Sequence, residues 1–194
     1  MMWDAYESEG ADEGQPIQTP PIVSVDNFGQ PVVLLSTGDQ ELFTTLSPKT
    51  HVWSLLEQVN GASFKTTANF HIDMNDGERV TGPISLFAST AYFASFKPED
   101  PVAAADACTY GEGKLWGVDY KSGLGRLDPN DTSIQSQSEG KNSIVFGVAV
   151  TQTPDNQLKL NIPSDISFDT GRADIKANLR PILDQLAIGL GTQP

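Results

Sequence analysis

The chain has 194 residues, enough for one substantial core or two small ones, and 38% of them are hydrophobic, a globular share. No apolar run approaches the roughly 18 residues that a membrane-spanning helix needs. The formal net charge is −13, and residues 1–48 carry eight Asp and Glu with no Lys or Arg, so the basic patch that nucleic-acid phosphates demand is missing.

The opening residues (MMWDAYE) have neither the basic n-region nor the apolar h-region of a signal peptide. The chain is therefore expected either to stay inside the cell or to be cut from a longer secreted precursor. Residues 1–16, rich in Glu, Asp and Gly, read as an acidic, flexible leader.

From residue 17 to about 154, short β-branched and aromatic runs alternate with Gly, Pro, Asn and Asp. Residues 21–25 (PIVSV) form the first run and end in Asp26-Asn27-Phe28-Gly29, a turn whose glycine can take a positive φ. Residues 31–37 (PVVLLST) follow at once, which predicts a hairpin. Residues 52–56 (VWSLL) are the next strand. The order then recurs. Residues 82–86 (GPISL) stand 62 positions after 20–24 (PPIVS), 91–96 (AYFASF) match 32–37, and 115–119 (LWGVD) lie 63 positions after 52–56. Two units of sheet are expected, over about 20–80 and 82–150. Residues 142–150 (NSIVFGVAV) supply a strand that closes the second unit or opens a third.

Units of this kind read as propeller blades, each buried only against its neighbours. An ordinary β-sandwich is the competing architecture. If the repeat is real, Trp53 and Trp116 take structural, equivalent core positions on neighbouring sheets. Cys108 is the only cysteine, so no internal disulfide can form. It is assigned a structural role as an inert or partly buried thiol, unless a secreted parent supplies its partner.

The character changes after Pro154. Residues 155–161 are expected to be a linker, and 161–169 (NIPSDISFD) a short strand. Ile175, Leu179, Ile182, Leu183, Leu186, Ala187 and Leu190 then recur at helical spacing. Pro181 is tolerated only in a first turn, so the helix is expected to begin near Asn178 and to end at Gly189 and Gly191.

Residues 17–154 resemble the C-terminal propeller blades of the PilY family, secreted proteins of type IV pilus tips. The residues that carry the resemblance are 31–39 (PVVLLSTGD), 77–83 (GERVTGP), 92–98 (YFASFKP), 108–120 (CTYGEGKLWGVDY) and 150–154 (VTQTP). That family's Asp-rich calcium loop is not clearly matched, and its neighbouring cysteines are reduced to Cys108. Residues 162–190 resemble the opening of an OmpA-like peptidoglycan-binding domain, through 164–176 (SDISFDTGRADIK) and 183–187 (LDQLA). The Asp and Arg with which such domains grip the cell wall have no counterpart before Pro194. Residues 162–194 are therefore read as an incomplete OmpA-like segment, and peptidoglycan binding is not carried over.

Candidate chemistry is sparse. His51 and His71 lack metal-ligand spacing to another strong ligand and read as structural or exposed. Gly61-Ala62-Ser63 is not followed by x-Gly, so no nucleophile elbow exists. Gly111-x-Gly113 and Gly123-x-Gly125 lack the third glycine of a dinucleotide loop. One segment is patterned like the first half of a calcium loop, with Asp73, Asn75, Asp76 and Glu78 as its ligands, but position 12 is Ile84 where a bidentate Glu is required. A hairpin turn has the same composition and is the reading preferred, with no cofactor expected. Asp128 and Asp131 form a weaker candidate.

The expectation is a mainly β protein of antiparallel sheets resembling partial propeller blades, with a short C-terminal strand–helix segment. The function that the resemblance implies is non-enzymatic: a structural or adhesive cell-surface protein in the manner of a pilus-associated propeller. It would lie outside the cell or at the outer membrane, with pilus subunits or other blades as partners. A quinone-dependent propeller dehydrogenase and a peptidoglycan-tethered outer-membrane protein are the alternatives.

Overall fold

The computed structural model describes residues 16–40, 49–61, 63–100, 111–141, 144–152 and 158–161. These form strands, turns and loops and no helix: β1 (Ile22–Val25), β2 (Pro31–Ser36), β3 (His51–Asn60), β4 (Ser63–Asp73), β5 (Arg79–Val80), β6 (Ser85–Phe87), β7 (Thr90–Pro98), β8 (Gly111–Asp119), β9 (Ser136–Lys141), β10 (Ala149–Gln152) and β11 (Leu158–Asn161). The chain is mainly β and its strand pairs are antiparallel. The acidic leader before residue 16, Cys108 and the strand–helix segment of residues 162–194 lie outside the described residues.

The first sheet is a meander in the order β1-β2-β3-β4. Its opening hairpin closes locally, because the Asp26 carboxylate accepts the backbone N–H groups of Phe28 and Gln30, each at 2.8 Å. Gly29 supplies the positive φ of 79° that the turn needs. The second sheet runs β6-β7-β8-β9, with β5 paired to the far end of β7. Each sheet thus contains four consecutive antiparallel strands. A shorter pair, β10-β11, follows.

Inward side chains of both sheets make one core: Val32, Leu34, Val52 and Ile72 from the first, Ala91, Phe93, Trp116 and Val118 from the second. Met74 of the crossover, Val80 of β5 and Ile84 just before β6 fill its edge. The second sheet's other face, with Ala94 and Leu115, is covered by Val145 and Val148. There Gly82 and Gly147 meet so closely that a Cβ on Gly82 would lie 2.6 Å from the Gly147 nitrogen.

The sense in which the sheets stack follows from the hydrogen-bond register. In an antiparallel pair, opposed residues alternate between those that exchange main-chain hydrogen bonds and those that do not. Side chains alternate with the same period, so pair type fixes the face. The Thr37 N–H donates to the His51 carbonyl at 2.8 Å, which makes Leu35–Trp53, two residues along, a bonded pair. The Tyr120 N–H donates to the Ser89 carbonyl at 3.2 Å, and the same step makes Phe93–Trp116 a bonded pair. Towards the following strand both tryptophans sit at non-bonded positions, opposite His71 and Ser136. Trp53 and Trp116 therefore occupy the same place and the same face in their meanders. Trp116 faces the first sheet, whereas Trp53 points away from the second, among Leu35 and Leu55. The sheets stack back to front, in one repeating sense, and like faces do not meet.

Several expectations need correction. The equivalence of Trp53 and Trp116 puts Leu35 in register with Phe93, whereas the sequence match of 32–37 to 91–96 aligns Leu34 with Phe93. A one-residue slip exchanges the faces of a strand. β4 and β9 complete the two meanders but lie in polar stretches whose pattern predicts no strand. The boundary between the units also moves, since β5 belongs to the second sheet. Within residues 142–150 only Ala149 and Val150 are in a strand among the described residues. Residues 158–161, assigned to a linker, form β11.

β6 and β7 are joined by Ala88 and Ser89, whose φ values of 45° and 65° are left-handed without glycine. Such two-residue hairpins favour Asn-Gly. Replacing Ala88→Asn together with Ser89→Gly should stabilise the fold by about 1 kcal/mol, read as a raised urea midpoint with an unchanged slope.

Candidate functional site

The chemistry-bearing side chains gather in two places, one on the outward face of the first sheet and one at the crossover between the sheets. On the outward face, β3 and β4 pair His51 with Asp73 and Trp53 with His71. A bulge beside Ser54 and Leu55 sets that register. Both imidazoles reach one carboxylate oxygen: His51 Nε2 lies 3.3 Å and His71 Nε2 3.4 Å from Asp73 Oδ1. His71 also lies against the Trp53 ring, with centroids 4.8 Å apart. The nearby Thr37 hydroxyl accepts the His51 backbone N–H at 2.9 Å. The arrangement makes ion pairs when an imidazole is protonated. Sequence spacing sets both histidines aside because twenty residues separate them; a hairpin turning at Gly61 is the signal that would have paired them with Asp73.

The second place is the crossover that carries the candidate calcium-loop residues. Asp73 is committed to the histidines on the outward face, while Glu78 is fully buried at 0% exposure. The Glu78 carboxylate accepts from Ser95 Oγ at 2.6 Å and from Lys114 Nζ at 3.0 Å, and also from the Asn75 amide. The Ser95 hydroxyl in turn accepts the Trp116 indole N–H at 2.8 Å. The Glu78 backbone N–H donates to the Asn75 carbonyl at 2.9 Å, closing the turn that the composition allowed. Asn75 and Glu78 thus meet while Asp73 lies with the histidines, and among the described residues no group of three or more His, Cys, Asp and Glu is placed to hold a metal ion.

The remaining polar residues are turn makers. Asp128 Oδ1 accepts the Asn130 N–H and Asp131 Oδ1 the Ser133 N–H. Asp119 holds the loop after β8 by accepting the N–H groups of Lys121 and Ser122, each at 3.0 Å, and pairs with Arg126 at 2.6 Å. Gly123 of that loop, at φ 73°, lies so near the Phe70 ring that a Cβ would come within 2.9 Å. Trp116 stacks on Phe93, with centroids 5.5 Å apart and planes inclined by 9°.

Comparison with protein-family models, with curated proteins and with solved structures returned no match. No helix among the described residues is long and apolar enough to cross a membrane.

Burial raises the Glu78 pKa, but the hydrogen bonds from Ser95, Asn75 and Lys114, with the Lys114 charge, outweigh it and hold the group below its ordinary 4.5. A depressed folded-state value means stability that is complete above the unfolded value and is lost as pH falls through the folded one. Glu78→Gln should therefore flatten the fall of stability below about pH 4.5, measured as urea midpoints from pH 7 to pH 3. Glu78→Ala should cost about 3 kcal/mol at pH 7, since Lys114 and Ser95 lose their buried acceptor.

Proposed function

We propose that the chain is a non-enzymatic structural unit of a bacterial surface or pilus-associated adhesin, built as a stack of propeller-type sheets. The observation that carries the reading is the back-to-front stacking of two four-stranded meanders with Trp53 and Trp116 at equivalent positions. A sandwich brings opposed faces of two sheets together around one core, and nothing in that plan repeats. A stack in one sense repeats, and each added sheet covers the face left open by the last. The side-chain chemistry supports the same reading. Glu78, Asp119 and Asp26 spend their carboxylates on turns and junctions, as groups that hold a scaffold do. The resemblance of residues 17–154 to pilus-tip propellers supplies the location, outside the cell, and the partners, pilus subunits or further sheets of the same kind.

The test is made in the organism that carries the gene. Antibody against the chain should label intact cells, and deletion of the coding segment should lower adhesion to surfaces at least severalfold. Purified protein loaded with quinone should reduce no dye. Labelling that appears only after lysis, or quinone-dependent dye reduction, would overturn the proposal.

A further inference from the structure

Lys114 and Asn75 meet on one oxygen of a carboxylate that is sealed from water. The Glu78 side chain is fully buried, and that of Lys114 is only 16% exposed. Lys114 Nζ donates to Glu78 Oε2 at 3.0 Å, and the Asn75 amide donates to the same oxygen. An ionised carboxylate only accepts, so it is the nitrogen end of the Asn75 amide that faces it. The other oxygen, Oε1, is held by the Ser95 hydroxyl at 2.6 Å. Ser95 already accepts the Trp116 indole N–H, so its own proton goes to Glu78 and fixes the carboxylate's orientation. The backbone brings the three groups together. Lys114 of β8 stands opposite Ser95 of β7, and the Glu78 N–H, bonded to the Asn75 carbonyl, folds Asn75 back over the carboxylate.

We propose that Lys114 and Asn75 become joined by an isopeptide bond between Nζ and Cγ, formed within the folded chain with Glu78 as proton carrier. Free in water, a lysine amine is protonated and a carboxamide resists attack. Held on one oxygen, the two are an intramolecular pair. Desolvation and an adjacent base are what make a lysine amine nucleophilic. Glu78 Oε2 touches both the nitrogen that must lose protons and the nitrogen that must gain them, which is the place of a general acid–base. The step balances without another reactant. The Nζ lone pair forms the bond to Cγ, and the Cγ–Nδ2 bond breaks. Of the three protons on the Lys114 ammonium, one stays on the new amide. The other two pass by way of Glu78 to Nδ2, which leaves as an ammonium ion. Glu78 is a carboxylate before and after, and the exposed position of Asn75 gives the ion a way out. The bond would tie the crossover to β8 and restrict the unfolded chain as a disulfide does, in a chain whose single cysteine can form none. The inference goes beyond the adhesin reading and stands on this network alone, so either can fail without the other.

The experiment is intact-mass spectrometry of the full chain, purified folded and then denatured, with tandem sequencing of its proteolytic digest. The expected mass is that of the sequence less one ammonia, and the digest should contain a branched peptide that joins Lys114 to Asn75. Asn75→Ala removes the carboxamide from an exposed turn and should restore the full mass. Lys114→Arg keeps a cation on Glu78 but offers no amine, and should restore the full mass with the circular dichroism spectrum unchanged. A folded wild-type chain of full sequence mass would overturn the proposal. So would an ammonia loss that persists in Lys114→Arg, because an asparagine that cyclises on its own backbone loses the same mass.

Discussion

A carboxylate sealed from water between two sheets is tolerable only if its partners are already in place, and Glu78 binds the fold together for that reason. It lies in the crossover that leaves β4 for the second sheet. Its side chain engages Ser95 of β7 and Lys114 of β8, while its main-chain carbonyl accepts the Thr50 hydroxyl at 2.6 Å. The next residue, Arg79, donates to the carbonyls of Gly77 and Asp39 and so ties the crossover to the end of the first meander. Displacing the second sheet would leave a charge without compensation in the interior. Hydrophobic burial supplies the attraction between the sheets, but aliphatic faces slide with little penalty. The Glu78 network admits one register, and through Ser95 it also fixes the rotamer of Trp116.

The back-to-front stacking has a similar local cause. Pair type, pleat and strand direction together decide which face a side chain takes, so the two meanders present Trp53 and Trp116 alike. Once the first sheet's inward face is aliphatic and the second sheet's tryptophan face meets it, equivalent faces are kept apart. Tyr120 then locks the upper end, with its hydroxyl donating to the Val25 carbonyl at 2.6 Å and its own carbonyl accepting from Ser54 at 2.7 Å. These bonds join the edge and the centre of the first sheet to the end of β8.

How much of this is legible in the sequence depends on how local its cause is. The hairpin at Asp26 is legible because one carboxylate and one glycine close it within five residues. The recurrence of a tryptophan strand after 63 residues is legible because the spacing is preserved. Runs such as VVLLS and YFASF are apolar on both faces, so they show no alternation and the match slips by one residue. β4 is hidden because SFKTTANFHID is mostly polar; its inward residues are few, and its outward ones form a hairpin tip and a histidine cluster. The turn at 73–78 follows from composition, but the destination of Glu78 does not. A buried acid and a calcium ligand are the same residue type, and only the partners from β7 and β8 distinguish them.

The two faces of the first sheet show how one composition serves two ends. Inward, Val52, Ser54 and Leu56 alternate with outward Trp53, Leu55 and Glu57, and the inward set carries a hydroxyl where Tyr120 needs a donor. Outward, the tryptophan that elsewhere in the fold is an internal contact stands beside two imidazoles and a carboxylate. Trp116, at the matching position, is opposed by Ser136 where Trp53 is opposed by His71. The small serine leaves room for a neighbouring sheet to close over the ring, while His71 is half exposed and keeps a polar margin at the same place. The repeat is thus broken at one residue opposite each tryptophan, although both rings are equally buried, each 7% exposed.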